Sequence, residues 1–128
     1  MTDGTSQDYN TVTLQAGDVL FNEGEAGDCA YYIQSGMIEI SRQMGSAEVV
    51  IATEEEGGIV GEMALIDNKP RSATARAVED TTLLRVPAEQ FDQYLENTDP
   101  VIRQLLKRFV DIIRNVTTEN VRLILGIR

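Results

Sequence analysis

The sequence predicts a mainly β domain with α-helices at its end: an antiparallel β jelly-roll barrel over about residues 11–86, then C-terminal helices over about 87–128. Three observations carry this. Between Thr11 and Val86, short β-prone runs are punctuated by Gly17, Gly24, Gly27, Gly36, Gly45 and the pair Gly57-Gly58. Turns that close favour a small antiparallel barrel over alternating strand–helix units. Inside the runs the period is two: in "MIEISR", Ile38 and Ile40 point one way while Glu39 and Ser41 point the other. After Val86 the period becomes helical. The chain has 128 residues, 42% of them hydrophobic, enough for one packed core.

Element by element, the opening "MTDGTSQDYN" is polar, has nothing to bury, and is expected to fray as a flexible segment over 1–10. The strands follow to Val86. "PAEQFDQYLEN" then starts with Pro87, a first-turn residue, and sets Phe91 and Tyr94-Leu95 at helical spacing, which predicts a short helix. A longer helix comes next, with Asp99 able to cap it and Pro100 able to take its first position. Ile102, Leu105, Phe109, Ile112 and Val116 repeat there at spacings of three and four, with Leu106, Val110 and Ile113 beside them. That apolar face is wider than one contact with a barrel requires. Its continuation to Ile124 and Ile127 is broken by Thr117 and Asn120. Three readings of the break stand: solvent exposure near a helix end, a polar pair that sets register in a two-helix seam, or contact with a ligand beneath the helix.

Composition excludes several chemistries. The sequence contains no His, so Ser-His-Asp triads and His-held metals are out, and no metal site is expected. Cys29 is the single cysteine, which excludes an intrachain disulfide and fits a reducing compartment; it reads as a half-buried small residue. With 21 acidic residues against 11 basic ones, a net charge of −10 makes nucleic acid and anionic membrane poor partners. A small anion is a different case, because the Debye length of about 8 Å lets a locally positive pocket outweigh distant charge. No leader is apparent and no apolar run approaches ~18 residues, so a cytoplasmic protein is expected.

Between the strands lies "GEMALIDNKPRSATARA", Gly61 to Ala77. Good helix formers after Gly61 predict a short turn of helix at Glu62 to Leu65, whose first amides attract an anion. "DNKP" reads as a turn that delivers Arg71, and Arg can pair with two phosphate oxygens at once. Glu62 beside such a site would repel phosphate, unless the ligand also carries hydroxyls for the carboxylate to accept from. Alternatively, Glu62 and Arg71 form an exposed ion pair across a loop. The alternating Ala73, Ala75 and Ala77 leave room for a ring, or serve tight strand packing.

"GEMALIDNKPRSATA" closely resembles the phosphate-binding cassette of cyclic nucleotide-binding domains, the family of bacterial catabolite activator proteins and cAMP-dependent kinase regulatory subunits. "LFNEGEAGDCAYYIQSGMIEI" looks like that family's upstream signature, departing at Phe21 and Ala30, two packing positions expected not to touch the ligand. The resemblance covers roughly Gln15 to Arg128. It implies that Glu62 accepts from a ribose 2′-OH, that Gly61, Met63 and Ala64 border the sugar and phosphate, and that Arg71 pairs with the cyclic phosphate, aided by Ser72 and Ala73. Ser72 in the place after the Arg is similar to cAMP binders rather than cGMP binders, so cAMP is the favoured ligand and cGMP the second. Thr117 and Thr118 resemble the pair through which a long helix reaches adenine in catabolite activators. The same helix would then act as lid and as the seam of a parallel homodimer.

The resemblance therefore implies a non-catalytic receptor that needs no cofactor and signals through movement of its last helix to an unknown effector protein. The alternative is a protein-interaction or structural module that has kept the fold without the ligand. An enzyme, such as a phosphodiesterase, is not expected, since acidic groups without His make an unpromising set. The chain stops at Arg128 with no helix-turn-helix module in view, so it reads either as a stand-alone receptor or as a sensor domain of a longer protein. Its "MTDG" opening favours an authentic start.

Overall fold

A computed structural model describes residues 10–67 and 69–124, with main chain only for residue 64 and residues 117–124. Eight strands and three helices follow in the order β1 (Asn10–Leu14), β2 (Val19–Phe21), β3 (Cys29–Ser35), β4 (Met37–Met44), β5 (Ala47–Glu55), β6 (Ile59–Val60), α1 (Glu62–Asp67), β7 (Thr74–Ala77), β8 (Thr81–Pro87), α2 (Ala88–Glu96) and α3 (Pro100–Ile124). Asn10, expected in the frayed segment, opens β1; the rest of that segment lies outside the described residues.

The strands form two four-stranded antiparallel sheets, ordered β1-β8-β3-β6 and β2-β7-β4-β5. This is the expected jelly-roll arrangement, with one correction: the sheets stay open at their edge strands and do not join into a closed barrel. Among the described residues, no strand pairs into both sheets, and the short edge strands β2 (three residues) and β6 (two) offer little backbone for pairing across. What holds the sheets together is their apolar inner faces, where Ile33 and Leu83 of one sheet meet Ile38, Ala75 and Ala77 of the other. Ile33, Ile38 and Leu83 are each fully buried, and burying such a side chain contributes about 1.5–3 kcal/mol.

Three corrections arise from this packing. Ser41, expected to face outward, is fully buried: β4 is hydrogen-bonded on both sides, to β5 and β7, and its register with β5 shifts between Ile40 and Ser41. Ala75 and Ala77, one option for a ring-binding surface, belong to the core, where their small size lets the sheets approach. Cys29 is buried rather than half-buried.

The helices begin where their caps predict, within a residue. Pro87 ends β8 and precedes α2 instead of opening it. Asp99 accepts from the Val101 amide at 2.8 Å, satisfying an otherwise orphaned donor at the start of α3. Along α3, Val110 is buried, whereas Ile102, Leu105, Phe109, Ile112 and Val116 remain between 41% and 52% exposed. The apolar face read from sequence is thus largely uncovered in the single chain. Among the described residues, no helix is long and apolar enough to cross a membrane.

Candidate functional site

The site is built around the turn between β6 and α1. Gly61 holds φ +81°, a left-handed conformation that disfavours a side chain, and a Cβ there would collide with Nη1 of Arg71. Glycine is required twice over, by backbone and by space. α1 runs from Glu62 to Asp67, two residues beyond the predicted turn. Its last residue then folds the chain back, the Asp67 carboxylate accepting from the Lys69 amide at 3.1 Å.

Arg71 is pinned by its main chain before its side chain does anything. Its amide donates to the Glu25 carbonyl at 2.8 Å, and its carbonyl accepts from the Gly24 amide at 2.9 Å, tying it to the β2–β3 loop. The guanidinium, in a residue only 5% exposed, then donates from Nη1 to the Gly61 carbonyl at 2.9 Å and from Nη2 to the Cys29 carbonyl at 2.7 Å. Its Nε is buried without a hydrogen-bond partner. The Phe21 ring lies against it, 4.2 Å from the guanidinium carbon, a cation–π contact.

No carboxylate neutralises this cation: the ion pairs of the described residues do not include Arg71. The exposed Glu62–Arg71 pair, one option from sequence, is therefore not formed. Tyr31 supplies no counter-charge either. Burial pushes its phenol up to about 12, with the neighbouring Cys29 adding to the shift. Glu62 is perturbed in the same sense, its carboxyl held above the usual range chiefly by burial and also by the charge of Glu54, against the opposing pull of Arg71.

Arg71, Glu62 and Phe21 border one cavity of about 230 Å³. Of the residues singled out from sequence, Gly61, Glu62, Met63, Arg71, Ser72 and Ala73 all line it. Ala64 lies in α1 with its side chain outside the described residues. Thr117 and Thr118 fall within the span of α3, and their side chains also lie outside the described residues.

Among the described side chains of α3, Ile113 and Arg114 line the cavity, about one turn before Thr117. Arg114 is fastened by both carboxylate oxygens of Asp67, at 2.5 and 3.1 Å, so α3 is clamped to the end of α1. Lys69 and Asp111, 3.7 Å apart, form a more exposed pair alongside. Sequence reading missed this clamp because its members stand 47 residues apart and share no local pattern. It also misjudged Phe21. Expected to be packing only, Phe21 lines the cavity wall beneath Arg71, because β2 pairs with β7 and brings Phe21 opposite Ala75.

Chemically, the cavity offers a fixed cation with donors to spare, a carboxylate that accepts hydrogen bonds, and an apolar wall that includes Ile51, Ile59 and Ile113. A molecule with an anionic group, a hydroxyl and a flat apolar body would meet all three.

Comparison with known proteins agrees with that chemistry. The family model described as cyclic nucleotide-binding domain matches residues 11–98. A cAMP-dependent protein kinase regulatory subunit of Dictyostelium discoideum is 33% identical over 82% of this chain and 33% of its own length. The cyclic AMP receptor protein of Thermus thermophilus is 38% identical over 59% of this chain and 35% of its own. Among solved structures, an EAL enzyme in its cAMP-bound form superposes with TM-score 0.79 at 35% identity, covering 89% of this chain and 31% of that one. The chain spans about a third of the length of these relatives.

Proposed function

The chain belongs to the cyclic nucleotide-binding domain family, and from that premise we propose that it is a cytoplasmic receptor for a cyclic nucleotide, cAMP in preference to cGMP, and does not itself catalyse a reaction. One observation carries the reading: Arg71 is a buried cation with no carboxylate partner and an unsatisfied Nε, set on the wall of a cavity. Burying an ion costs several kcal/mol unless it is paired, so the site is poised for an anion. Arg71 would take the cyclic phosphate, flanked by Ser72 and Ala73, while Gly61, Met63 and Ala64 border the sugar. Glu62 would accept from the ribose 2′-OH, which explains a carboxylate beside an anion site.

The preference for cAMP rests on Ser72. Signalling would pass through α3, which contributes Ile113 and Arg114 to the cavity wall and is clamped to α1. A ligand moves that helix only by binding one of its positions better than another. Thr117 and Thr118 would reach the base as the helix closes, and the uncovered apolar face of α3 would form the seam of a homodimer whose change is read by an effector protein.

The test is thermal unfolding with no ligand, with cAMP, with cGMP and with linear AMP. Ligand at a hundred times its Kd stabilises a fold by about 2.7 kcal/mol, a rise on the order of 5–15 °C for a domain of this size. A rise with cAMP, smaller with cGMP and absent with AMP is the expected result. No rise with either cyclic nucleotide, from a sample free of bound nucleotide, would favour a ligand-free interaction module instead.

A further inference from the structure

Four of the side chains that line the cavity are charged: Glu54, Glu62, Arg71 and Arg114. If the cavity holds a cyclic nucleotide, the premise on which a role for Glu54 depends, Glu62 takes the ribose and Arg71 the phosphate. Arg114 is engaged by Asp67. Glu54 is left over. It stands near the end of β5, opposite Ile38, and is half-buried, yet its carboxylate has no hydrogen bond or ion pair to any described residue. Gly58 makes room for it, since a Cβ at that position would meet Oε1 of Glu54 at 2.9 Å. Its charge reaches Glu62, where it adds to the upward shift that burial produces.

A second carboxylate in a cavity for an anionic ligand weakens binding by repulsion unless the ligand offers it donors. A 3′,5′-cyclic nucleotide has few. The cyclic phosphate carries none, the ribose carries the 2′-OH that Glu62 accepts from, and the remaining donors are on the base. A carboxylate accepts and cannot donate, so it selects for a ring edge bearing N–H groups. Ile51 and Ile59, which share the wall with Glu54, supply the apolar surface a purine needs.

We infer that Glu54 reads the amine edge of the base, in addition to the contact proposed for Thr117 and Thr118: its carboxylate accepts from the exocyclic amine of the bound purine while the ring packs on Ile51, Ile59 and Ile113. Discrimination by this one group favours purines with an amine over purines without one. Ser72, at the phosphate end, then adjusts the choice between the two aminated purines.

The experiment is calorimetric titration of the whole chain with cAMP and with the 3′,5′-cyclic monophosphate of unsubstituted purine riboside, for the wild type, Glu54→Ala and Glu54→Gln. The wild type should bind cAMP about tenfold or more tightly than the unsubstituted analogue, the scale of one charge-assisted hydrogen bond. Glu54→Ala should bring the two within about twofold of each other, and Glu54→Gln, which keeps an acceptor and the side-chain shape, should fall between. An unchanged ratio in both variants overturns the inference. So does a loss in Glu54→Ala that is equal for the two nucleotides and vanishes with 2′-deoxy-cAMP, because Glu54 would then read the sugar. If the wild type binds neither nucleotide, the receptor reading fails and this inference falls with it.

Discussion

Replacing Arg71 by Lys keeps the charge and removes the geometry, which makes it the sharpest probe of the site. A guanidinium has five N–H groups. In Arg71 one is spent on the Gly61 carbonyl at 2.9 Å and one on the Cys29 carbonyl at 2.7 Å, while Nε–H is buried and unmet. An ammonium concentrates its three donors on one atom and cannot meet both carbonyls while facing a phosphate. One carbonyl left without a donor costs about 1–3 kcal/mol, and the lost contact with the Phe21 ring about 0.5–2 kcal/mol more. The fold without ligand should therefore melt about 6–18 °C lower. Affinity for cAMP should fall by about 10- to 100-fold, since a charge-assisted hydrogen bond is worth about 1.5–3 kcal/mol and 1.4 kcal/mol is tenfold. The assay is calorimetric titration at a temperature where the variant's circular dichroism matches the wild type. A Kd within about twofold of the wild type, in a folded sample, would refute the argument that fork geometry at Arg71 holds the phosphate.

Two further predictions concern Glu62 and α3. Burial first, and Glu54 second, raise the Glu62 carboxyl above its ordinary 4.5, so the folded chain without ligand takes up a proton here more readily than the unfolded chain. Stability from this group is therefore greatest below about 4.5 and declines as pH rises through the raised value. A ribose hydroxyl donating to the ionised form works the other way, so cAMP affinity should fall as pH drops through that raised value; Glu62→Gln should bind more weakly and flatten the pH profile, and a variant profile identical to the wild type's would count against the role. On α3, Phe109→Glu with Ile112→Glu places charge in the middle of the uncovered apolar face. Sedimentation should show at least a tenfold weaker dimer with Tm little changed, whereas an unaltered sedimentation profile would rule this face out as the seam.

Much of the fold was legible because it is locally encoded. The bend at Gly61, the short helix after it, the turn before Arg71 and the cap at Asp99 each depend on a few adjacent residues, and each lies within a residue or two of where the sequence puts it. Six of the nine candidate residues border one cavity because five of them, Gly61, Glu62, Met63, Ser72 and Ala73, sit in the same short segment as Arg71. Phe21 and Ser41 were misread for the opposite reason. Whether a strand residue faces core, cavity or solvent depends on its neighbour strand and register, and β2–β7 and β4–β5 pairing is set far along the chain.

By itself the sequence determined the order of elements, the absence of His chemistry, and the cassette that presents Arg71 and Glu62 together, since composition and short-range spacing suffice for these. Only the tertiary structure decided that the sheets stay open, that Arg71 is buried without a counter-ion over Phe21, that Arg114 clamps α3 to Asp67, and that Glu54 stands in the same cavity as Glu62. Each of these joins residues distant in sequence. Burial and electrostatic balance belong to the packed surroundings of a side chain, and those surroundings exist only once the strands have paired.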